Sequence, residues 1–504
     1  MAAELLIRNA SLFTAAEPDP ARARAAPGCV AVRGERVVAV GDERECRAAV
    51  PGAEAIDAAG GSVLPGLIDC HAHLLNLGET HADLDLRGLD DLGRIAGLVA
   101  ERARRLPPGT WILGRGWSGE QRPDRDPLSH LVTDHPVLLN RFDGHGALAN
   151  AAALRLAGIG PDAADPPDGR ILRDATGAPT GVLVEGAARP VREAVPVKDA
   201  ARRRALLRAG AADCLALGLT GLHDATEEID WIADYAALDG GPRVFGMLGA
   251  PEEGDLAEFA AEHLFTGDAT LSMRRLRMIF DGGLGARGAL LSEPYHDEPD
   301  GRGFQLLSAE RVAEAGRAVR RLGFSLVVHA IGDLANRLVL DAFEQVGADG
   351  FMIEHASVQS AADRARMAGL GVIASVQPVH VRDDAAWIAD RLGPARLRDA
   401  YAFRDMLDRG VVLACGSDFP VASPDPFLGI CTAITTRSLT RAEALYGYTR
   451  WAARAAGMEG ELGSIRPGGL ADLVILDRDV MSVPADEVAD TKVRHTLVGG
   501  AIRH

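Results

Sequence analysis

Short runs of alternating apolar and polar residues open the chain. Glu4–Asn9, Cys29–Val32 and Arg36–Val40 are alternating or β-branched, and Gly34-Glu35 predicts a turn between the last two. The same texture returns near the other end, at Ala471–Leu476 and Val493–Val498, before Gly499-Gly500. Neither block has enough apolar surface to stand as an independent sheet, so the two predict one composite β-sandwich over 1–62 and 462–504.

Between them the pattern changes. Apolar runs of strand length recur at Gly61–Asp69, Leu219–His223, Arg243–Leu248, Leu276–Asp281, Ser325–His329, Phe351–His355, Gly371–Val376 and Val411–Cys415. Most are separated by stretches with helical spacing, such as Ser308–Leu322 and Ala361–Leu370. Eight strands alternating with helices predict an α/β fold, a (β/α)8 TIM-like barrel, over 63–461. That span exceeds the roughly 250 residues of a bare barrel. The excess falls between the first two strands, at about 75–200, and predicts an inserted subdomain covering the barrel mouth.

Composition narrows the class. The 504 residues are 47% hydrophobic and 25% charged, which is ordinary for a globular protein. Lys and Arg total 54 against 71 Asp and Glu, a net charge of −17. That balance argues against nucleic acid or an anionic membrane surface as a partner. No apolar run approaches the ~18 residues of a membrane span. The start, MAAELLIRNA, lacks a secretory leader, and six scattered cysteines make no disulfide framework, so a cytoplasmic location is expected. Lysine is confined to Lys198 and Lys492.

The chemistry sits at the strand ends. His71 and His73 form His-Ala-His after the first strand, and side chains at i and i+2 share a face and can grip one cation. His329 ends SLVVH, His355 ends FMIEH, and Asp418 follows VVLACGS. All five lie at C-terminal strand ends, where barrel active sites are built, and together they predict a metal centre. A divalent ion such as zinc would make hydroxide available at neutral pH, with Asp418 accepting the water proton and the metal and a neighbouring histidine stabilising the oxyanion.

PGLIDCHAH (Pro65–His73), HAIGDLAN (His329–Asn336), IEHA (Ile353–Ala356), ASVQPVH (Ala374–His380) and GSDFPV (Gly416–Val421) resemble the amidohydrolase superfamily. Within it the chain is similar to amidohydrolase family 3, the group that includes N-substituted formamide deformylases, on DGGLGARGALLSEPY (Asp281–Tyr295), DGHGALAN (Asp143–Asn150) and TGVLVEGA (Thr180–Ala187). The resemblance implies His71, His73 and His355 at the metal, His329 as ligand or adjacent polarising group, and Asp418 as ligand and base. One departure is sharp. Where family members often carry a lysine that becomes carboxylated and bridges two metals, this chain has Arg277. A guanidinium cannot form a carbamate, and neither remaining lysine is placed to substitute. One zinc ion per chain is therefore expected, with iron, manganese or cobalt as alternatives; Glu185 is the alternative bridging carboxylate.

Other residues are candidates to line the substrate site. Asp281 and Arg287 flank a glycine-rich turn, Trp117, Asp143 and His145 belong to the insertion, and Gln377 and His380 follow the seventh strand. Arg277 is expected to point into the barrel on the same face as Asp281, paired with Asp281 or Glu185 or holding an anionic part of the substrate. His223 reads as a core or loop histidine. The activity expected is hydrolysis of a non-peptide carbon–nitrogen bond in a small molecule, an amide, N-acyl or N-formyl amine. Ester or lactone hydrolysis, a lyase or decarboxylase reaction at the same site, and a binding protein with a relic site are the alternatives. A homo-oligomer is compatible with all of these.

Overall fold

The computed structural model describes residues 4–117, 128–141 and 144–504. Its central sheet has eight strands in sequential order: β1 (Leu67–Ala72), β2 (Leu219–Thr226), β3 (Arg243–Gly249), β4 (Leu271–Ile279), β5 (Ser325–Ala330), β6 (Met352–His355), β7 (Ile373–Val376) and β8 (Leu413–Cys415). Every adjacent pair is parallel. The sheet is a (β/α)8 barrel. Helices pack outside because their sequences give them one apolar face. In Ala309–Arg321, Val312, Ala315, Ala318 and Val319 are buried, Ser308 caps the first turn by accepting from Arg311 N, and arginines end the last turn. Ile68, Cys70, Val327, Met352 and Ile373 form a separate cluster with Phe245 and Met247.

β1 and β8 meet without a full ladder. An isolated bridge joins Ala72 to Phe419, and Asp418 N donates to His71 O at 2.8 Å. The buried Asp69 carboxylate accepts from His71 N, from Ser417 N and, at 2.7 Å, from Ser417 Oγ. This one side chain ties the end of β1, which carries His71, to the loop after β8 that carries Asp418. Gly416 permits the approach, since a Cβ there would stand 2.4 Å from Asp69 Oδ1 and 2.6 Å from His71 N.

A second eight-stranded sheet combines both ends of the chain: Ser62–Pro65 runs parallel to Glu4–Leu12 on one side and antiparallel to Leu473–Leu476 on the other. A buried ion pair, Arg243 Nε to Asp472 Oδ2 at 2.7 Å, fastens this sandwich to the start of β3. A third sheet of six strands lies in the insertion, between Leu84 and Glu185. Among the described residues no helix is long and apolar enough to cross a membrane.

β4 departs from the sequence reading. It begins at Leu271, because Arg274 and Arg275 interrupt the apolar pattern without ending the strand, and it stops at Ile279. Strand alternation therefore does not extend to Asp281, which pairs only through an isolated bridge to Gln305.

Candidate functional site

Five side chains converge where β1, β5, β6 and β8 end. His71 Nε2 and His73 Nε2 lie 3.1 and 3.2 Å from Asp418 Oδ1. The His71 and His355 rings are 5.0 Å apart and those of His329 and His355 are 4.5 Å apart. Ligand atoms of His71, His355 and Asp418 all lie within 4.8 Å of one another, and so do those of His329, Glu354 and His355. Two of these residues sit in left-handed backbone, His355 at φ 68° and Asp418 at φ 61°. Such conformations cost about 1–3 kcal/mol each and persist only where the surroundings impose them. At His355 the consequence is direct. Alternation along β6 would send Glu354 and His355 to opposite faces, and the positive φ brings both to the site.

The electrostatics suit a cation. Burial alone would push the His71 imidazole down, but the carboxylates of Glu354 and Asp418 outweigh it and raise its pKa to about 10. Burial lowers His355 to about 3 and His329 well below the usual histidine range, so both keep a free lone pair at neutral pH. Burial opposes ionisation of Asp418, yet His71 and its hydrogen bonds with His71 and His73 hold its carboxyl well below the usual range. His329 Nε2 is buried without a hydrogen-bond partner and belongs to the cavity lining. An orphaned imidazole nitrogen beside three further imidazoles and a carboxylate matches the donor preferences of zinc, iron, manganese or cobalt.

The cavity above these residues has a volume of about 440 Å³, and the insertion supplies part of its wall through Arg115, Asn140, His145 and Glu185. A profile of the amidohydrolase family matches residues 54–504. The chain belongs to the amidohydrolase family. It is accordingly a metal-dependent hydrolase, and the cluster described above supplies suitable metal-binding residues. The protein LONG AFTER FAR-RED 3 of Arabidopsis thaliana is 32% identical, over 99% of this chain and 91% of its own. The N-substituted formamide deformylase of Arthrobacter pascens is 31% identical over 94% of both chains. A crystal structure of an uncharacterized metal-dependent hydrolase from Pyrococcus horikoshii superposes with a TM-score of 0.79 at 26% identity, covering 96% of this chain and 99% of that one.

Arg277 of this amidohydrolase takes a different partner from those expected. Its Nε donates to Glu354 Oε2 at 2.9 Å, and it pairs with neither Asp281 nor Glu185. Glu354 Oε1 in turn lies 2.7 Å from His71 Nδ1, close but poorly aligned for a hydrogen bond. Burial opposes ionisation of Glu354, but Arg277 and then His71 hold it ionised. The carboxylate thus backs the imidazole from the side away from Asp418, an arrangement that fixes the ring and strengthens a ligating histidine. The sequence reading did not single out Glu354 although it lies in IEHA, since it took only the histidine that closes that run.

The remaining candidates divide. Asp281 does not line the mouth. It is fully buried and accepts backbone N–H groups from Leu290, Ile331 and Gly332, which pins the loops after β4 and β5. Burial raises its carboxyl to about 7, and those three donors pull the other way. Arg287 is likewise a loop tie, paired with Asp297 at 2.7 Å. Trp117, expected to cap the substrate, packs into the core of the insertion and donates from its indole to Leu139 O. Glu185 turns to His145, 3.0 Å from its Nδ1, and to Gly283 N, and it joins neither cluster of ligand atoms. His145 itself lines the cavity. Gln377 is buried and its Oε1 stands 2.9 Å from His355 Nδ1, so it orients that ring. His380 stacks on His355 at 6.5 Å and lines a smaller recess with Leu284, Trp387 and Tyr401. Asp143 lies outside the described residues. His223 is a core histidine on β2, packed against Phe245.

Arg115, which the sequence reading did not single out, also faces the cavity. Among the described residues its guanidinium has no ion pair and one long hydrogen bond, 3.5 Å to Asn76 O.

Proposed function

We propose that this amidohydrolase cleaves a non-peptide carbon–nitrogen bond, an amide such as an N-acyl or N-formyl amine. The observation that carries the reading is that an ionised Asp418 and His329, whose buried Nε2 has no hydrogen-bond partner, line one cavity. His71, His73, His355 and Asp418 would hold one divalent ion, zinc in the first instance, with His329 completing the set or standing beside it. When bound, such an ion polarises a carbonyl and brings the pKa of its water to about 7. Asp418 accepts the proton of the attacking water at a carboxylate oxygen and passes it to the departing nitrogen. His329 supports the developing charge on the carbonyl oxygen from Nε2. The Arg277–Glu354 pair places a fixed guanidinium beside the site and supports a single ion rather than a bridged pair.

Two spaces suit a substrate with unlike ends. The recess beside His380 offers Leu284, Ile331 and Trp387 to an apolar group beside the acids Asp383 and Asp384, whereas the main cavity presents Arg115 and Asn140. The relative named N-substituted formamide deformylase supports an N-formyl amine among the candidates. Six free cysteines, five of them buried, support a cytoplasmic location. The test is amine release by the metal-loaded enzyme from N-formyl and N-acyl amines, run beside ester, lactone and β-keto acid panels. Turnover of the amides at least tenfold above the others supports the reading. Preference for an ester or a β-keto acid overturns it, and a folded protein that takes up no metal points to a relic site.

A further inference from the structure

At the end of the barrel remote from the catalytic mouth lies a second cavity of about 480 Å³. Its wall includes Ser325, Phe351 and Ile373 at the starts of β5, β6 and β7, and Ala455 at the end of the helix Arg450–Ala455. Arg274, Arg275, Arg320 and Arg454 line it, and Asp349 is the one acid in the lining. On a chain with net charge −17 this is an anomalous concentration of cations.

Their partners make it more so. Other arginines of this protein are mostly tied to carboxylates, whereas none of these four is in an ion pair among the described residues. Arg320 donates to Gly347 O and lies over the Phe351 ring at 5.8 Å. Arg275 is only 5% exposed, and its buried Nε has no hydrogen-bond partner. Burial pulls its pKa down to about 10, and neighbouring Arg274 acts in the same direction. A buried cation without a counter-charge is costly, and a guanidinium fork is shaped for oxyanions. Gly323, Gly350, Gly371 and Gly457 line the same cavity in left-handed backbone, leaving its rim without Cβ atoms.

We propose that this cavity binds a small molecule carrying two or more phosphate groups, with Arg275 at its base and Arg274, Arg320 and Arg454 around it. Several guanidinium groups against one carboxylate favour a multiply charged oxyanion over a lone carboxylate, and charge-assisted forks favour phosphate oxygens. Occupation would tie β4 to β7 at the end of the barrel opposite the metal residues. Arg275 and Arg277 are two apart on β4, so one strand carries both the anion site and the partner of Glu354.

Inorganic pyrophosphate is the probe, titrated into the metal-loaded, full-length protein at constant ionic strength, with binding heat and thermal unfolding as readouts and sulfate as the comparison. Saturable binding of one pyrophosphate per chain, at least tenfold tighter than sulfate and with a rise in Tm, is expected. The double variant Arg274→Ala/Arg454→Ala should weaken pyrophosphate at least tenfold. Arg275→Met should abolish the pyrophosphate-dependent rise while raising the Tm of the unliganded protein, because it deletes a buried unpaired charge. No saturable binding, binding no tighter than sulfate, or full affinity in the double variant, which would place the anion at the catalytic metal, overturns the proposal.

Discussion

His71 Nδ1 and Glu354 Oε1 stand 2.7 Å apart inside the barrel, while Glu354 Oε2 takes the Nε–H of Arg277 at 2.9 Å. The imidazole that faces Asp418 is therefore positioned by a carboxylate that is itself held by a guanidinium. Glu354→Gln should keep the shape and lose the charge behind His71. We expect metal affinity or turnover to fall 10–100-fold, the usual effect of removing such a partner. Equilibrium dialysis with zinc, alongside kcat, checks it; unchanged affinity and rate would show that Glu354 is only packed there.

Arg277→Met tests the other half of the pair. It leaves a buried carboxylate without its cation, which typically costs about 3–5 kcal/mol. Thermal and denaturant unfolding should show a much larger loss for Arg277→Met than for the double variant Arg277→Met/Glu354→Met. Equal losses would mean that the two side chains are not energetically coupled.

Asp418→Asn removes the proton acceptor while preserving side-chain volume. Turnover should drop by at least ~10²-fold with far-UV circular dichroism unchanged. Near wild-type turnover would remove Asp418 from the proton path.

Chelation should abolish activity and lower Tm, since an ion that binds only the native state stabilises it by mass action. Restoration with zinc, manganese or cobalt, combined with elemental analysis of the untreated protein, reads the stoichiometry. About one ion per chain is expected; two tightly held ions would show that the Arg277–Glu354 pair does not exclude a second.

Asp83 provides a pH test away from the metal residues. Burial, and then the charge of Glu79, raise its carboxyl to about 6. Its folded pKa thus lies above the unfolded value of about 3.9, so the native state holds the proton more tightly. Stability is then greatest below pH ~4 for this group and is lost as pH climbs through 6. The Tm of Asp83→Asn minus that of wild type should therefore grow from pH 4 to pH 7. A flat difference would refute the shift.

How much of this was legible in the sequence depended on whether the backbone stayed regular. The barrel strands were visible because their apolar runs are short and evenly punctuated, and His71, His73, His329, His355 and Asp418 because each closes such a run. Glu354 was not, since it lies inside its run rather than closing it, and the positive φ at His355 that brings both side chains to the site has no sequence signature. Asp281 failed for a related reason, β4 having ended at Ile279. Trp117 and Arg115 lie two apart on one strand of the insertion, yet one fills a core and the other faces the cavity, because left-handed Gly116 between them breaks the strand's alternation. Arg275 carries no sequence signal that sets it apart from the chain's many other arginines, and only tertiary placement shows that it is buried with an unpartnered Nε.

The strand Ser62–Pro65 has its antiparallel partner in Leu473–Leu476. During synthesis that edge must wait for about four hundred further residues, roughly 20–80 s at 5–20 residues per second. Through that interval the growing chain presents an apolar, hydrogen-bond-hungry edge, Ser62–Pro65, whose side chains are all buried in the finished protein. The barrel can assemble progressively, but the sandwich cannot close until Leu473–Leu476 has been made. Ribosome stalling or truncation between the last barrel strand and Leu473 should thus yield a barrel with one sticky edge, and slower elongation should lower the yield of folded protein more than the stability of what does fold.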